Sequence, residues 1–337
     1  MPSFSVFDRA SPELVQWLKN TGHSCQVPAA TTVIQEGERP DHLVILLDGR
    51  LIATTTDQRA QQEQLATLTS GSLVGEMSWL EQRPAVATIS AAEECRLLQL
   101  QHARLDQLSD EHPLLAAELH RLIAQKLAVQ IKEQNAWAHR LQNVSNPVEA
   151  LRKVLILFAN LQEQDVHWLA RLGHVQRLQP QTVLLKQGDD VPNLYLLLSG
   201  EAEILLTVSG NTQLVGSSRR GELLGEMSLL LDEQRGAAAA VQSAQGMDLL
   251  TINRSSLLAA LKRNPALASR FYRGLACMLS QRSRDQLLSH QRGATSQLAE
   301  QDAIDRLELD QLEAISRAAR HFDWLCRHCQ AGGAASS

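Results

Sequence analysis

Long apolar runs are missing from this chain. No stretch of about 18 apolar residues occurs in its 337 residues, so no membrane-crossing helix is expected. Its first twenty residues, MPSFSVFDRASPELVQWLKN, lack the apolar core of a secretory signal. Cysteines are few and odd in number, at Cys25, Cys95, Cys277, Cys326 and Cys329, which argues against a disulfide framework. These absences favour a reducing, cytoplasmic setting. Aromatic residues make up only 4% of the chain, so its cores must come from the plentiful leucine and alanine. Positive charge is not in excess either. A net charge of −5 and a pI near 6.1 give no general attraction to nucleic acid or anionic lipid. No clustered nucleophile and base suggest catalysis, so a non-enzymatic protein is expected.

What is present is a repeat. Gly-Glu-Met-Ser occurs at Gly75–Ser78 and again at Gly225–Ser228. Trp17 and Trp168 are 151 apart, as are Gly22 and Gly173, Gly37 and Gly188, and Gly49 and Gly200. Arg83 and Arg235 are 152 apart. A near-constant offset over so many landmarks means one domain-sized module built twice. The expected division is 1–145, 146–290, and a helical tail over 291–337 with a disordered end.

Each copy reads as a short helix (Ser11–Asn20, Glu163–Leu172) followed by short strands with glycine punctuation. The strands are expected at Thr31–Gln35, Leu43–Leu47, Arg50–Thr56 and Leu65–Leu68. Copy two repeats them at Thr182–Lys186, Leu194–Leu198, Glu201–Val208 and Gln213–Val215. Asp48-Gly49 and Ser199-Gly200 read as hairpin turns. After the tetrapeptide come further strands and a helix pair, the second helix of copy one running from Pro113 to about Leu141. Asn143–Pro147 marks the break between copies, Gly293–Ser296 a hinge, and Gln301–Arg320 a further helix, while the final AGGAASS is expected to be disordered.

Gly75 follows β-like sequence and leads into a short helical turn, which leaves backbone N–H groups available to an anion, with Glu76 able to accept from a polyol. This arrangement, in two copies, resembles the cyclic nucleotide-binding domain of catabolite activator proteins and protein kinase A regulatory subunits. The resemblance implies an α+β fold: two tandem jelly-roll-like β-rolls with flanking helices, each holding a phosphate-binding cassette, plus the helical C-terminal tail. It also implies a cyclic nucleotide as the ligand class, with no cofactor indicated.

The cassettes depart from the family where an arginine pairs with the cyclic phosphate, ten residues after the cassette glycine. Copy one has Ala85 there, followed by Val86. In copy two, Arg235 satisfies the spacing from Gly225, but the segments around Arg83 and Arg235 align without a gap, and that register puts Ala237 after Gly236 at the arginine position. Both registers are open; the gapless one also preserves the pattern of the following strand. The candidate ligand-binding residues are therefore Gly75, Glu76, Met77, Arg83, Ala85 and Val86 in copy one. Those in copy two are Gly225, Glu226, Met227, Arg235, Gly236 and Ala237. Losing one partner of a buried charge pair costs about 2–5 kcal/mol. On that scale micromolar cyclic AMP sensing is not expected from either pocket.

Trp137, Phe271 and Tyr272 lie on lid-like helices, where core packing is the first expectation. Arg219-Arg220 reads as a solvated tip, and Cys326, His328 and Cys329 with His321 form half of a zinc motif whose other half is missing, so no metal is expected. The leading function is a regulatory or binding protein with degenerate cassettes; the alternative is a ligand-independent scaffold that keeps only the fold. A protein partner or homo-oligomer contact through the helices is expected. A nucleic-acid partner is not, because no basic recognition helix follows copy two.

Overall fold

Ser11 starts the first helix as its sequence requires. Its Oγ accepts from the Leu14 N–H, Pro12 takes the first helical position, and α1 runs Pro12–Thr21 with Leu14 and Leu18 buried. The computed structural model describes residues 4–56, 62–138, 156–208, 210–231, 236–292 and 309–333. The chain divides into two units: Met1–Ile131 with Ala276–Leu307, and Lys132–Leu275 with Glu308–Ser337.

Unit 1 contains strands β1 (His23–Val27), β2 (Thr32–Ile34), β3 (His42–Asp48), β4 (Leu51–Thr56), β5 (Gln62–Leu68), β6 (Leu73–Val74), β7 (Thr88–Ala91) and β8 (Cys95–Gln101). They form two antiparallel four-stranded sheets, ordered β1-β8-β3-β6 and β2-β7-β4-β5. Val44, Leu46, Leu51, Ile89 and Leu97 fill the core of the β-roll. Helices α2 (Glu76–Glu81), α3 (His102–Glu111) and α4 (Pro113–Ala138) belong to the same copy.

Copy two repeats the plan with α5 (Glu163–Leu172), β9 (His174–Leu178), β10 (Val183–Leu185), β11 (Asn193–Val208), β12 (Asn211–Arg219), β13 (Leu223–Leu224) and α6 (Glu226–Leu230). It continues with β14 (Ala240–Asn253), α7 (Arg254–Arg263) and α8 (Pro265–Arg292), and α9 (Leu309–Gly333) forms the tail. The unit division falls inside α8, so the residues of this helix from Ala276 onward belong to unit 1. The α+β architecture of two tandem β-rolls with helices and a helical tail is therefore the observed one.

Three expectations are corrected. Asp48-Gly49 does not close a hairpin: β3 pairs with β8 and β6, whereas β4 pairs with β5 and β7. Gly49, at φ +94°, turns the chain from one sheet into the other. In copy two, β11 runs straight through Ser199-Gly200, its register with β14 shifting between Leu197 and Ser199 and between Gly200 and Ala202. An Asp-Gly or Ser-Gly pair signals a positive φ; whether the strand folds back or turns a corner depends on which strand takes its hydrogen bonds.

Second, β1 and β9 went unrecognised, because five-residue strands of mixed polarity (HSCQV, HVQRL) carry little alternation. Third, the tail helix does not stop at Arg320 but continues to Gly333, taking in Ala331–Gly333 from the segment expected to be disordered. Phe322, Leu325, Cys326 and Cys329 make a buried stripe that extends it, and α9 packs on α5 and β9. The expected break at 143–147, the hinge at 293–296 and residues 301–308 lie outside the described residues.

Candidate functional site

The two cassettes begin alike. Strand β6 ends at Val74, and Gly75 leads into α2 at φ +88°; Gly225 does the same after β13 at φ +89°. A Cβ on Gly75 would meet the His42 carbonyl oxygen at 3.1 Å, and one on Gly225 would meet that of Asn193 at 2.8 Å. Glycine is required in both copies by the same close approach to the same strand.

The next residue is buried in each: Glu76 is 2% exposed and Glu226 is 6%. Glu76 is not free to wait for a polyol, because Lys126 on α4 sets its Nζ on Glu76 Oε1. Met77 is buried in the core and Met227 is half-buried. Trp79, fully buried, holds the cassette helix: its Nε1 donates to Asp106 Oδ1 at 3.1 Å, and its ring stacks on His120 at 5.6 Å.

The far end of α2 carries a second ion pair. The Glu81 carboxylate accepts from Ser280 Oγ at 2.5 Å and from Arg284 Nε at 2.6 Å, with Arg83 Nη1 at 3.7 Å. Arg284 Nη1 also donates to the Pro84 carbonyl at 2.9 Å. Burial pushes the Arg284 pKa down from the ordinary arginine value, and Glu81 opposes that shift. Ser280 and Arg284 lie on the part of α8 that belongs to unit 1.

Ala85 and Ala237 occupy equivalent backbone positions. Ala85 accepts from the Gly37 N–H at 2.9 Å and donates to the Glu38 carbonyl at 2.8 Å; Ala237 accepts from Gly188 at 2.9 Å and donates to Asp189 at 2.8 Å. Gly37 and Gly188 are partners in the repeat, as are Glu38 and Asp189. Gly236 bridges to Asp190, and a Cβ on it would meet the Gly188 carbonyl oxygen at 2.8 Å. Val86 is half-buried, and Arg235 lies outside the described residues.

Other candidates turn out to be packing residues. Phe271 and Tyr272 are buried and meet edge to face at 5.8 Å; the Trp137 side chain lies outside the described residues. Arg220 is no free tip: it pairs with Asp323 at 3.1 Å and stacks over Phe322 at 5.1 Å, fastening α9. Cys326 Sγ donates to the Leu198 carbonyl at 3.8 Å, burial pushes the Cys329 thiol up to about 11, and His328 stacks on Trp324 at 4.8 Å. Among the described residues no three His, Cys, Asp or Glu side chains gather as a metal site.

Lys126, Glu81 and Arg284 were missed in the sequence, although a signal existed for the first. Lys126 falls four residues after Leu122 and three after Ile123, on the apolar face of its helix, and a lone charge there implies a buried partner.

A family model for the cyclic nucleotide-binding domain matches this chain twice, at residues 25–112 and 175–264. Among curated relatives, the cGMP-dependent protein kinase egl-4 of Caenorhabditis briggsae is 24% identical over 241 residues, 71% of this chain and 28% of the kinase. The Cyclic AMP receptor protein of Thermus thermophilus is 34% identical over 131 residues, 38% of this chain and 57% of the receptor. Among solved structures, the regulatory domain of Toxoplasma gondii PKA with cAMP is similar at 15% identity and a TM-score of 0.32, covering 83% of this chain and 92% of that one. This chain thus spans little more than a quarter of the kinase it matches, 28% of its length. No helix among the described residues is long and apolar enough to cross a membrane. The chain belongs to the cyclic nucleotide-binding domain family and carries that domain in two tandem copies.

Proposed function

From that membership we propose a non-enzymatic regulatory or binding protein whose two phosphate cassettes are altered at the arginine position, by Ala85 in copy one and Ala237 in copy two. The observation that carries this reading is the shared backbone bonding of Ala85 and Ala237 to the Gly37 and Gly188 turns. It favours the gapless register, in which no arginine of either cassette's own closing strand faces a phosphate. The candidate contacts are then Gly75, Glu76, Met77, Arg83 and Val86 in copy one. Those in copy two are Gly225, Glu226, Met227, Arg235 and Gly236. Cyclic AMP and cyclic GMP are the ligands to try first, and the helices are the surface for a protein partner or a second copy.

The experiment is calorimetric titration of the full chain with cyclic AMP and cyclic GMP, alongside Ala85→Arg and Ala237→Arg. A restored charge-assisted contact contributes about 1.5–3 kcal/mol, or roughly 10- to 150-fold in affinity. Tightening of that size in at least one variant supports the reading. Submicromolar binding by the unchanged protein, or no gain in either variant, sinks it.

One observation favours the second reading, a scaffold that keeps the fold without a ligand. Glu76 already has a buried partner in Lys126, so ribose binding in copy one would have to break an existing ion pair. A chain that binds no nucleotide even as Ala85→Arg, yet self-associates or captures a protein through its helices, would be that scaffold.

A further inference from the structure

Cassette one lacks an arginine at Ala85, yet a guanidinium reaches its closing loop from another part of the same unit. Arg284 comes from the Ala276–Leu307 segment. Its Nε is on Glu81 and its Nη1 on the carbonyl of Pro84, the residue before Ala85. The side chain is only 4% exposed, and among the described residues its Nη2 has no hydrogen-bond acceptor. A guanidinium is planar, so Nη2 is fixed beside both contacts, at the loop 82–85 that closes the cassette. A buried, charged donor without an acceptor is expensive to keep.

The charges around Arg284 also admit an anion. Glu81 is shared between Arg284 and Arg83, and burial works against the Arg284 charge despite Glu81 and the neighbouring Asp285. Glu76 is no competitor for this guanidinium, being occupied by Lys126. That same pairing leaves a phosphate, rather than a ribose hydroxyl, as the group cassette one is equipped to recognise.

We propose that Arg284 replaces the arginine Ala85 does not supply, and that cassette one takes the phosphate group of a nucleotide on Arg284 Nη2, with Arg83 as a second cation. This rests on the reading above that Ala85 stands at the family's phosphate-arginine position. The residue responsible sits some two hundred positions from the cassette in sequence, on α8, the last helix of copy two.

The test titrates the full chain with cyclic AMP, cyclic GMP and inorganic phosphate. Arg284→Gln removes the charge. Glu81→Gln/Arg284→Gln removes both buried charges together and guards against misfolding, with circular dichroism checking each variant. The expected result is nucleotide binding by the unchanged protein at least about tenfold tighter than inorganic phosphate, and at least about tenfold weaker in both variants. Adding Ala85→Arg to Arg284→Gln should restore it, because the two arginines would serve one phosphate.

No binding of any probe by the unchanged protein overturns the proposal, as does nucleotide binding that both variants leave intact. Inorganic phosphate binding as tightly as the nucleotides overturns it too, since the site would then be a generic anion hole. Failure here is separable from failure of the broader reading. If Ala85→Arg confers binding on a chain that otherwise has none, the altered-cassette reading stands while the role of Arg284 falls. If Ala85→Arg confers nothing in either background, both fall.

Discussion

Lys126 and Glu76 form a buried ion pair, the lysine from the middle of α4 and the glutamate from the first residue of the cassette helix. Their side chains are 17% and 3% exposed, so the pair is largely desolvated and neither charge has a cheap alternative in water.

Lys126→Met should therefore strand the Glu76 carboxylate and destabilise unit 1 by about 3–5 kcal/mol. Glu76→Gln/Lys126→Met, which removes both charges, should regain most of that loss. Urea unfolding followed by tryptophan fluorescence measures both. Equal losses in the single and double variants would mean the pair is not coupled.

The two copies tie their first helix to their long helix with different chemistry. In copy two, Arg270 donates to Asp165 through Nε at 2.6 Å and Nη2 at 2.8 Å, and Asp165 also accepts from the Gln162 N–H at 2.8 Å as part of a capping box. In copy one, Glu118 accepts from the Ser11 N–H at 2.6 Å and from Ser11 Oγ at 2.7 Å. Asp165→Asn breaks a bidentate charge pair and a cap, and should cost about 3–5 kcal/mol. Glu118→Gln loses charge-assisted bonds alone, at about 1.5–3 kcal/mol. The ranking is checked by denaturant midpoints of the two variants; the reverse order would contradict it.

His102, at the start of α3, should make unit 1 sensitive to acid. Burial is the main cause lowering its pKa, and the charge of His42 adds to it; Asp106, Asp41 and a backbone hydrogen bond with His42 oppose it. Its Nε2 finds no hydrogen-bond partner among the described residues. The folded-state pKa is depressed, so the unfolded chain binds this proton more readily. The contribution is fully present above about 6.5, the ordinary histidine value, and is lost as pH falls through the folded-state value. Thermal midpoints measured from pH 7.5 down to pH 5 should fall less steeply in His102→Gln than in the unchanged protein. Parallel slopes would show that His102 carries none of the effect.

Two glycines of copy two separate backbone conformation from close packing. Gly188, at φ +88°, has nothing within 4 Å of where a Cβ would lie, whereas at Gly200, φ +85°, a Cβ would sit 2.2 Å from the Gly246 carbonyl oxygen. Gly188→Ala should cost about 1–2 kcal/mol, from the left-handed backbone alone. Gly200→Ala should cost distinctly more, because β11 and β14 must separate to admit the methyl group. Comparable urea midpoints for the two would show that the sheets can yield at Gly200.

Much of the fold was legible because a duplicated sequence repeats its landmarks. The spacing of Gly22 and Gly173 and of Gly75 and Gly225 reports backbone conformation, which is set largely by local residues. The capping of α1 by Ser11 and Pro12 was readable for the same reason. The hairpins at Gly49 and Gly200 were misread because a positive φ is local while strand pairing is not. The tail helix was cut short at Arg320 because its continuation depends on Phe322, Leu325, Cys326 and Cys329 finding α5 and β9 to cover them.

Two copies of one module, most of the strands and helices of each (β1 and β9 apart), and the paired Gly-Glu-Met-Ser turns are written in the amino-acid order. It also put Ala85 ten residues after Gly75. Which charges meet at that cassette was decided only by tertiary structure. Lys126 reaches Glu76 across fifty positions of sequence, and Arg284 reaches Glu81 and Pro84 across about two hundred. Periodicity marks the face of a helix that is buried, but the partner of a buried charge is chosen by packing, where desolvation forces each ion to find an opposite one.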